Sequence, residues 1–269
     1  MKKIIALLLA LVLVLSFAGC GAKETASTGS DNQPSADNTP ATVTTVKAGK
    51  LTMATNAYFQ PYEYYDGDKI VGIDAEIAEA IAKKLGLELE IQDMAFDSII
   101  TAVQEGSVDI GLAGMTVKPD RLEKVDFSIS YANGVQVVIV PENSAITTVD
   151  DLFADGATYK AGVQLGTTGD AYASEDLGSD RVTKYPNGNE AVNALLGGDV
   201  DCVIIDNEPA KSFVANNAGL KILETTYADE DYAACIKKGN KALLDAVDKA
   251  IDELMSDGTI DTIIAKYIK

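Results

Sequence analysis

The segment 109–128 contains the residues of this chain whose types and spacing could do chemistry. Its apolar start predicts a buried strand, the small residues from Gly114 to Thr116 predict a turn, and Pro119 marks the start of a short helix. Arg121 follows Thr116 by five residues, so its side chain can return toward the turn. An arginine fork beside N–H and hydroxyl donors is suited to bidentate binding of a carboxylate, and Gly114 lets a ligand approach bare backbone. The competing interpretation is a surface arginine on a solvated helix.

The composition excludes several classes of function. The net charge of −19 argues against nucleic acid as a partner, since binding it requires a basic surface. The chain has no histidine, which removes the commonest general base and the commonest zinc ligand, and we predict neither a metal nor a cofactor. It also lacks tryptophan, so phenylalanine and tyrosine must supply any aromatic contact with a ligand.

The first 20 residues have the pattern of a secretion signal. Two lysines precede an apolar run over 4–15 that is too short to span a bilayer. The run leads to Ala18-Gly19-Cys20, which resembles a lipoprotein cleavage box, in which the cysteine becomes the lipidated N-terminus; the alternative is an unmodified cysteine after an ordinary cleavage. Residues 21–47 are rich in Ser, Thr, Asp, Asn and Pro and predict a disordered tether. We therefore expect an extracytoplasmic protein anchored to the outer face of the cell membrane through Cys20.

The rest of the chain alternates short apolar runs with amphipathic segments, which indicates two α/β sheets. The predicted strands cover 50–55, 87–92, 108–113, 135–140, 159–163, 181–185, 202–206, 221–223 and 232–237. The predicted helices cover 74–85, 97–104, 170–176, 189–196, 209–215, 241–256 and 259–267. A hairpin is expected over 62–71, because Asp66-Gly67 is a favoured turn dipeptide.

Four segments in register resemble the solute-binding proteins, family 3, of bacterial amino-acid importers, of the glutamine-, histidine- and lysine-arginine-ornithine-binding type. They are the helix signature 72–86, the segment 114–131, the turn 163–169 and the run 199–206, within a similarity that extends over 50–268. The resemblance implies an α/β, two-lobed, periplasmic-binding-protein-like (type II) fold with a two-segment hinge and a ligand cleft between the lobes. It implies lobe 1 over 48–133 plus 232–269 and lobe 2 over 134–231, with crossings near 131–135 and 228–232.

The resemblance also implies a clamp for the two charges of a free amino acid. Arg121 would bind the α-carboxylate, with Thr116 and the backbone N–H of Thr168 as further donors. Asp206 would bind the α-ammonium, with the Gly114 carbonyl as a second acceptor. The competing interpretation for Asp206 and Thr168 is a helix cap, since each precedes a predicted helix.

The ligand side chain is expected between Phe59 and Phe96, which match family positions that enclose it. The competing interpretation of these two rings is core packing. For Tyr62 we expect core packing. Asn56 and Gln164 are neutral and polar, which favours a polar amino acid, neutral or cationic. Glu190 fits the first turn of a helix better than a ligand site.

The function implied by the resemblance is a monomeric receptor that binds a polar L-amino acid by hinge closure and delivers it to the permease of an ATP-driven (ABC) importer. A receptor for signalling is one alternative. The other is a dehydratase-like enzyme with Glu63 as the acid–base group, which the missing histidine and the intact clamp argue against. Cys202 and Cys235 fall in predicted strands of different lobes, and we expect two free thiols rather than a disulfide.

Overall fold

The computed structural model describes residues 43–224 and 226–268. The predictions for the signal segment, for Cys20 and for most of the tether lie outside these residues. The last part of the predicted tether, 43–47, contacts the folded unit: the N–H of Val46 donates to the Asp109 carboxylate at 2.7 Å, and Lys47 pairs with Glu90. Within the two ranges, no helix combines the length and the apolar character that crossing a bilayer requires.

The chain alternates strands and helices as predicted. The strands are β1 (Lys50–Thr55), β2 (Tyr58–Phe59), β3 (Glu63–Asp66), β4 (Lys69–Val71), β5 (Glu88–Asp93), β6 (Ile110–Gly111), β7 (Val125–Phe127), β8 (Ala132–Pro141), β9 (Ala161–Gln164), β10 (Val182–Tyr185), β11 (Cys202–Asp206), β12 (Leu220–Ile222), β13 (Ala228–Tyr232) and β14 (Cys235–Lys237). The helices are α1 (Ile73–Lys84), α2 (Phe96–Glu105), α3 (Pro119–Leu122), α4 (Thr168–Leu177), α5 (Gly188–Gly197), α6 (Asn207–Asn216), α7 (Lys241–Ser256) and α8 (Thr259–Tyr267).

The first sheet has the strand order β5-β1-β6-β14-β7. Strand β1 pairs in parallel with β5 and β6, and β14 runs antiparallel to β6 and β7. Successive residues of β1 alternate between two apolar clusters: Met53 packs with α1, α7 and α8, and Ala54 packs with α2. Helices therefore cover both faces of this sheet, as a mainly parallel sheet requires.

The second sheet has the order β10-β9-β11-β8-β12, with β13 also paired to β8. Strands β9, β10 and β11 are parallel to one another, and the long β8 runs antiparallel to β11, β12 and β13. The two sheets with their helices form the predicted two-lobed α/β fold.

The chain crosses between the sheets at 128–131 and at 233–234, and the two crossings lie side by side. The N–H of Tyr131 donates to the Tyr232 carbonyl at 3.0 Å, and the N–H of Ser128 donates to the Ala234 carbonyl at 2.9 Å. Such a pair of short, adjacent connections that run in opposite directions concentrates rotation in a few residues, which is the geometry of a hinge.

Two predicted strands differ from the structure. The predicted strand 232–237 is divided between β13 and β14, because Ala233 and Ala234 carry the chain from one sheet to the other. The predicted strand 108–113 keeps only the two residues of β6. The neighbouring Asp109 still donates its N–H to the Thr52 carbonyl at 3.0 Å, but the N–H of Thr52 donates to the Asp109 carboxylate at 2.7 Å, as does the Thr52 hydroxyl at 2.6 Å. A side chain therefore takes one of the two bonds at this position.

Both cysteines of the described part are free and buried, Cys202 in the second sheet and Cys235 in the first. Burial raises the pKa of each thiol to about 12. They behave as small apolar core residues, as expected.

Candidate functional site

The carboxyl ends of the parallel strands bring the predicted site residues to one cleft between the sheets. Open α/β sheets hold their ligands at this edge. The cavity left in the cleft is about 10 Å³, room for about one water molecule, so the side chains of the two lobes contact one another across it. All nine predicted ligand residues line it: Asn56, Phe59, Phe96, Gly114, Thr116, Arg121, Gln164, Thr168 and Asp206. The lining also contains Glu63, Ala113 and Thr167.

Arg121 faces the cleft and is 4 % exposed, so its interpretation as a surface arginine is wrong. Its Nη1 donates to the Thr116 carbonyl at 2.8 Å, and its Nη2 donates to the Gly166 carbonyl of the opposite lobe at 3.1 Å. The Phe96 ring lies 5.5 Å from its Cζ. Burial lowers the pKa of Arg121, since the charged form loses hydration. A guanidinium has five N–H donors, so this fork keeps donors for an anion.

Asp206 occupies the N-cap position of α6, but its side chain makes no capping hydrogen bond, so the capping interpretation of this carboxylate is wrong. Instead it accepts from Gln136 Nε2 at 2.7 Å and from the Tyr232 hydroxyl. Burial, and then the nearby Glu230, raise the pKa of Asp206 well above its usual range. A cation bound beside this carboxyl would therefore stabilise its ionised form.

Glu230 is a buried carboxyl that the sequence analysis did not identify. It accepts from the Thr116 hydroxyl across the cleft at 3.0 Å and from Gln136 Nε2 at 3.0 Å, the same nitrogen that serves Asp206. It lies in β13, where only the alternation of buried and exposed residues from Ala228 to Tyr232 marks a strand. The alternation puts a charged residue on the buried side, so hydrophobic periodicity does not reveal it.

The neutral polar residues join the two lobes. Gln164 Nε2 donates to Asn56 Oδ1 across the cleft at 2.9 Å, and Asn56 Nδ2 donates to the Met94 carbonyl at 2.8 Å. Thr168 is the first residue of α4, and the preceding Thr167 is its N-cap, since the Thr167 hydroxyl accepts from the N–H of Asp170. The capping interpretation of Thr168 is therefore wrong. An N–H in the first helical turn has no intrahelical partner, so that of Thr168 is available to an anion.

The aromatic lining depends on a glycine. Phe59 and Phe96 are 8 % and 9 % exposed and both face the cleft. Gly114 has φ = 52°, and a Cβ there would lie 2.7 Å from Phe59 Cε1. Only glycine therefore permits this turn and this close contact. Tyr62 packs in the core with its ring 5.2 Å from that of Tyr232, as expected.

Glu63 and Asp74 form a pair of fully buried carboxyls at the cleft. Asp74 Oδ2 accepts from the N–H of Gly114 at 2.7 Å and from the Tyr131 hydroxyl at 2.8 Å. With both carboxyls ionised, Glu63 has no donor among the described residues; with one proton between them, Glu63 can donate to Asp74. Burial raises the pKa of Asp74 to about 6, and burial together with the negative Asp74 raises that of Glu63 well above its usual range.

Residues 51–269 match the model of the bacterial extracellular solute-binding proteins, family 3. This chain belongs to that family. The solute-binding protein is 31 % identical over 272 residues to the arginine-binding extracellular protein ArtP of Bacillus subtilis, covering 99 % of this chain and 98 % of ArtP. It therefore acts as a solute receptor outside the cytoplasm.

Two solved structures show the same fold. An ancestral arginine-binding protein bound to glutamine is 38 % identical, with a TM-score of 0.77, covering 82 % of this chain and 99 % of the ancestral chain. The ancestral amino-acid-binding protein AncCDT-1, a precursor of cyclohexadienyl dehydratase, is 31 % identical with a TM-score of 0.75, covering 82 % and 96 %. Within residues 43–224 and 226–268, no three acidic or cysteine side chains form a group suited to a metal ion.

From the buried carboxyls we expect the free energy of unfolding of the ligand-free protein to fall as the pH rises. Asp74, Glu63 and Asp206 have raised pKa values in the folded state, so they hold more protons there than in the unfolded chain, where a carboxyl titrates near about 4. The free energy of unfolding then falls as the pH rises from about 4 through the raised values. Thermal melts should show a lower melting temperature at about pH 7.5 than at about pH 5.5.

The matched control for this prediction is Glu63→Gln, which removes one titrating group and keeps the shape of the side chain. The fall in melting temperature should be smaller in this variant. Exposed acids with lowered pKa values, such as Glu76 beside Lys266, act in the opposite direction, and only near and below about pH 4. A melting temperature that is constant or rises over this interval would contradict the assignment of the buried pair.

Proposed function

We propose that this solute-binding protein binds one free L-α-amino acid in the cleft between its lobes. The observation that supports this most is that a buried guanidinium and a buried carboxyl, on opposite lobes, line one cleft. A free amino acid carries one charge of each sign, and both must be paired once water is excluded. Arg121 and Asp206 supply one matched group for each.

The α-carboxylate would be bound at the Arg121 side of the cleft. The remaining donors of the guanidinium and the N–H of Thr168 would serve it, and the Thr116 hydroxyl would turn from Glu230 to the ligand. The positive end of the α4 dipole adds a favourable field for an anion. Bidentate arginine pairing fixes the orientation of the carboxylate as well as its charge.

The α-ammonium would be bound by Asp206, with the Gly114 carbonyl as a second acceptor. The raised pKa of Asp206 means that the ligand's positive charge replaces a proton or relieves the repulsion from Glu230. The contact between Glu230 and Thr116 links the ammonium end to the carboxylate end. Because Arg121 and Asp206 lie on different lobes, a ligand that binds both would couple binding to closure.

The ligand side chain would lie between Phe59 and Phe96, near the amides of Asn56 and Gln164. This lining favours a polar amino acid, neutral or cationic. Relatives named for arginine and a relative solved with glutamine support the same class.

Closure would bring together the two lobes, predicted as 48–133 with 232–269 and as 134–231, by rotation about the crossings at 128–131 and 233–234. Strands β8 and β13 place 132, 133 and 232 with the second lobe. A ligand that binds the closed form shifts the equilibrium toward it. We propose that the closed monomer docks on the permease of an ABC importer; a relative, GlnH of Bacillus subtilis, is named as an ABC transporter glutamine-binding protein. Signalling is the alternative use of the same closure.

The N-terminal segment supports a lipid anchor at Cys20, with 21–47 as the tether. Cells fed a clickable palmitate analogue should label the wild-type protein, and Cys20→Ala should abolish the label, because the cysteine carries the lipid. The variant should also be released from the membrane fraction. A wild-type protein without label would contradict the anchor.

A second candidate is a dehydratase-like enzyme, for which the carboxyl of Glu63 in the cleft provides a general acid, on a scaffold shared with a dehydratase precursor. The receptor accounts for the clamp at both ligand charges, so we expect a bound amino acid to be recovered unchanged after prolonged incubation. Detection of a deaminated or dehydrated product would favour the enzyme.

The test of the receptor is a thermal-shift screen against the twenty L-amino acids. A ligand that binds only the folded state raises the melting temperature by mass action. We expect one or a few polar amino acids to do so. A cooperative melt that no amino acid shifts would contradict the proposed function.

A further inference from the structure

Asp170 is a buried carboxylate close to the cleft that the amino-acid clamp does not use. It lies in the first turn of α4 and is 5 % exposed, but it is not among the residues that line the cleft. An ionised carboxylate is costly to bury unless its oxygens are paired and hydrogen-bonded. The contacts of Asp170 therefore indicate which part of the structure it holds in place.

Both carboxylate oxygens of Asp170 have partners. Oδ2 accepts from the N–H of Gly166, in the turn before α4, at 3.0 Å. Oδ1 accepts from the Ser174 hydroxyl at 3.0 Å and pairs with Lys184 Nζ of β10 at 2.7 Å. One oxygen is thus used by a cation and a hydroxyl of the same lobe, and the other is used by the turn.

The contact with Gly166 differs from that of an ordinary helix cap. Thr167 is the N-cap of α4, so Asp170 occupies the third helical position. In a capping box, the side chain at this position accepts from the N–H of the N-cap residue. Here the N–H of Thr167 donates to the Gln164 carbonyl at 3.3 Å, and Asp170 accepts from the residue before the cap. The carboxylate therefore fixes the turn and not only the end of the helix.

The turn 164–168 carries two groups of the proposed binding site for the α-carboxylate. The Gly166 carbonyl accepts from Arg121 Nη2 at 3.1 Å, and the N–H of Thr168 is available to an anion. Gly166 has φ = 78°, and a Cβ there would lie 2.9 Å from the Cβ of Asp97 in the other lobe. The turn approaches that lobe with bare backbone, so a rotation of its peptides would displace both groups.

We propose that Asp170 is a positioning residue for the α-carboxylate of the ligand. The proposal rests on the amino-acid receptor function, which it deepens. The bond from the N–H of Gly166 holds the turn so that its carbonyl meets the Arg121 fork and the N–H of Thr168 stays at the cleft. A turn fixed before the ligand arrives reduces the ordering that binding requires. Lys184 offsets the charge of Asp170, which would otherwise repel the ligand carboxylate.

The experiment compares the amino acid found in the thermal-shift screen with its α-amide, in the wild type and in Asp170→Ala. Calorimetric titration measures the free amino acid, and displacement measures the weaker amide. Asp170→Ala should weaken the free amino acid about 10-fold or more and the amide about threefold or less, because hydrogen bonds to a charged group are the stronger ones. A merely structural role would weaken both ligands by the same factor, since both occupy the same cleft.

Two control variants separate the bond to the turn from the other contacts of Asp170. Asp170→Asn can still accept from the N–H of Gly166 but loses the ion pair with Lys184, so the ratio of the two affinities should stay at or above the wild-type value. Ser174→Ala removes only the hydroxyl donor and should keep the wild-type ratio. A ratio that falls in Asp170→Asn as far as in Asp170→Ala would contradict the proposal.

A double variant keeps the proposal testable where Asp170→Ala does not fold. Asp170→Leu combined with Lys184→Met removes both charges of the pair, and replacement of both partners of such a pair by apolar residues costs a fold little. The N–H of Gly166 still loses its acceptor, so the ratio of the two affinities should fall as in Asp170→Ala.

An equal loss for the free amino acid and its α-amide, or no loss for either, would overturn the positioning role of Asp170 while the receptor function stands. Failure of the receptor function itself has a different signature, because the wild-type protein would then bind no amino acid in the screen.

Discussion

Arg121→Ala is expected to weaken the binding of L-amino acids by at least about 100-fold, as found when one partner of a buried, hydrogen-bonded charge pair is removed. The α-carboxylate would then enter a closed cleft with the donors of Thr116 and Thr168 but without a compensating charge. The loss should be similar for every amino acid that binds, because the α-carboxylate is common to all. Calorimetric titration of the ligand found in the screen measures it.

The chain's other arginine provides a matched control. Arg181 also donates to backbone carbonyls, those of Leu177, Leu152 and Ala157, but it lies outside the cleft. Arg181→Ala should lower the melting temperature and leave the affinity unchanged. Arg121→Ala also removes the donors of two carbonyls, those of Thr116 and Gly166, so its melting temperature should fall as well, and the loss of affinity is what separates the two variants. Equal affinities in Arg121→Ala and the wild type would show that the carboxylate is not bound there.

Asp206→Asn is expected to weaken amino-acid binding by about 30-fold or more, because the α-ammonium loses its counter-charge in a desolvated site. The melting temperature of the ligand-free protein should stay the same or rise, because the amide removes the repulsion from Glu230 and still accepts from Gln136 or Tyr232. Thermal melts and titrations on the same samples separate the two effects.

Asp199→Asn is the control for this variant. Asp199 is exposed and lies just before β11, at the end opposite Asp206. Its change should alter neither affinity nor melting temperature appreciably. If Asp206→Asn lowered the melting temperature and kept the affinity, Asp206 would be a structural residue of the hinge region instead of a ligand residue.

One segment of the cleft could be predicted from local sequence patterns, and the ligand roles of Asp206, Phe59 and Phe96 were predicted from the resemblance to the family. Gly114, Thr116 and Arg121 belong to one strand–turn–helix segment, and the apolar periodicity of α7 and α8 gave their bounds as the structure has them. Whether Arg121 lies at the surface or in the cleft is decided by neighbours that are distant in sequence. Its burial against Gly166, from the other lobe, could not be predicted from spacing alone.

The parts that were missed depend on tertiary contacts. The residue before a helix is read as a cap, yet Asp206 turns to Gln136 and Tyr232, which approach from two other strands. Glu230 lies in a strand whose buried side is polar, so no hydrophobic pattern marks it. Glu63 was considered only as an acid–base group, because its lack of a donor is visible only once the fold is known.

The central claim is that the cleft recognises both charges of a free amino acid, and chemically modified ligands test it most directly. The amino acid found in the screen should be titrated beside its α-amide and its N-acetyl derivative, which lack the negative and the positive α-charge respectively. We expect each derivative to bind at least about 100-fold more weakly than the free amino acid, since each leaves Arg121 or Asp206 buried without its partner. Binding of either derivative with the affinity of the free amino acid would contradict the account.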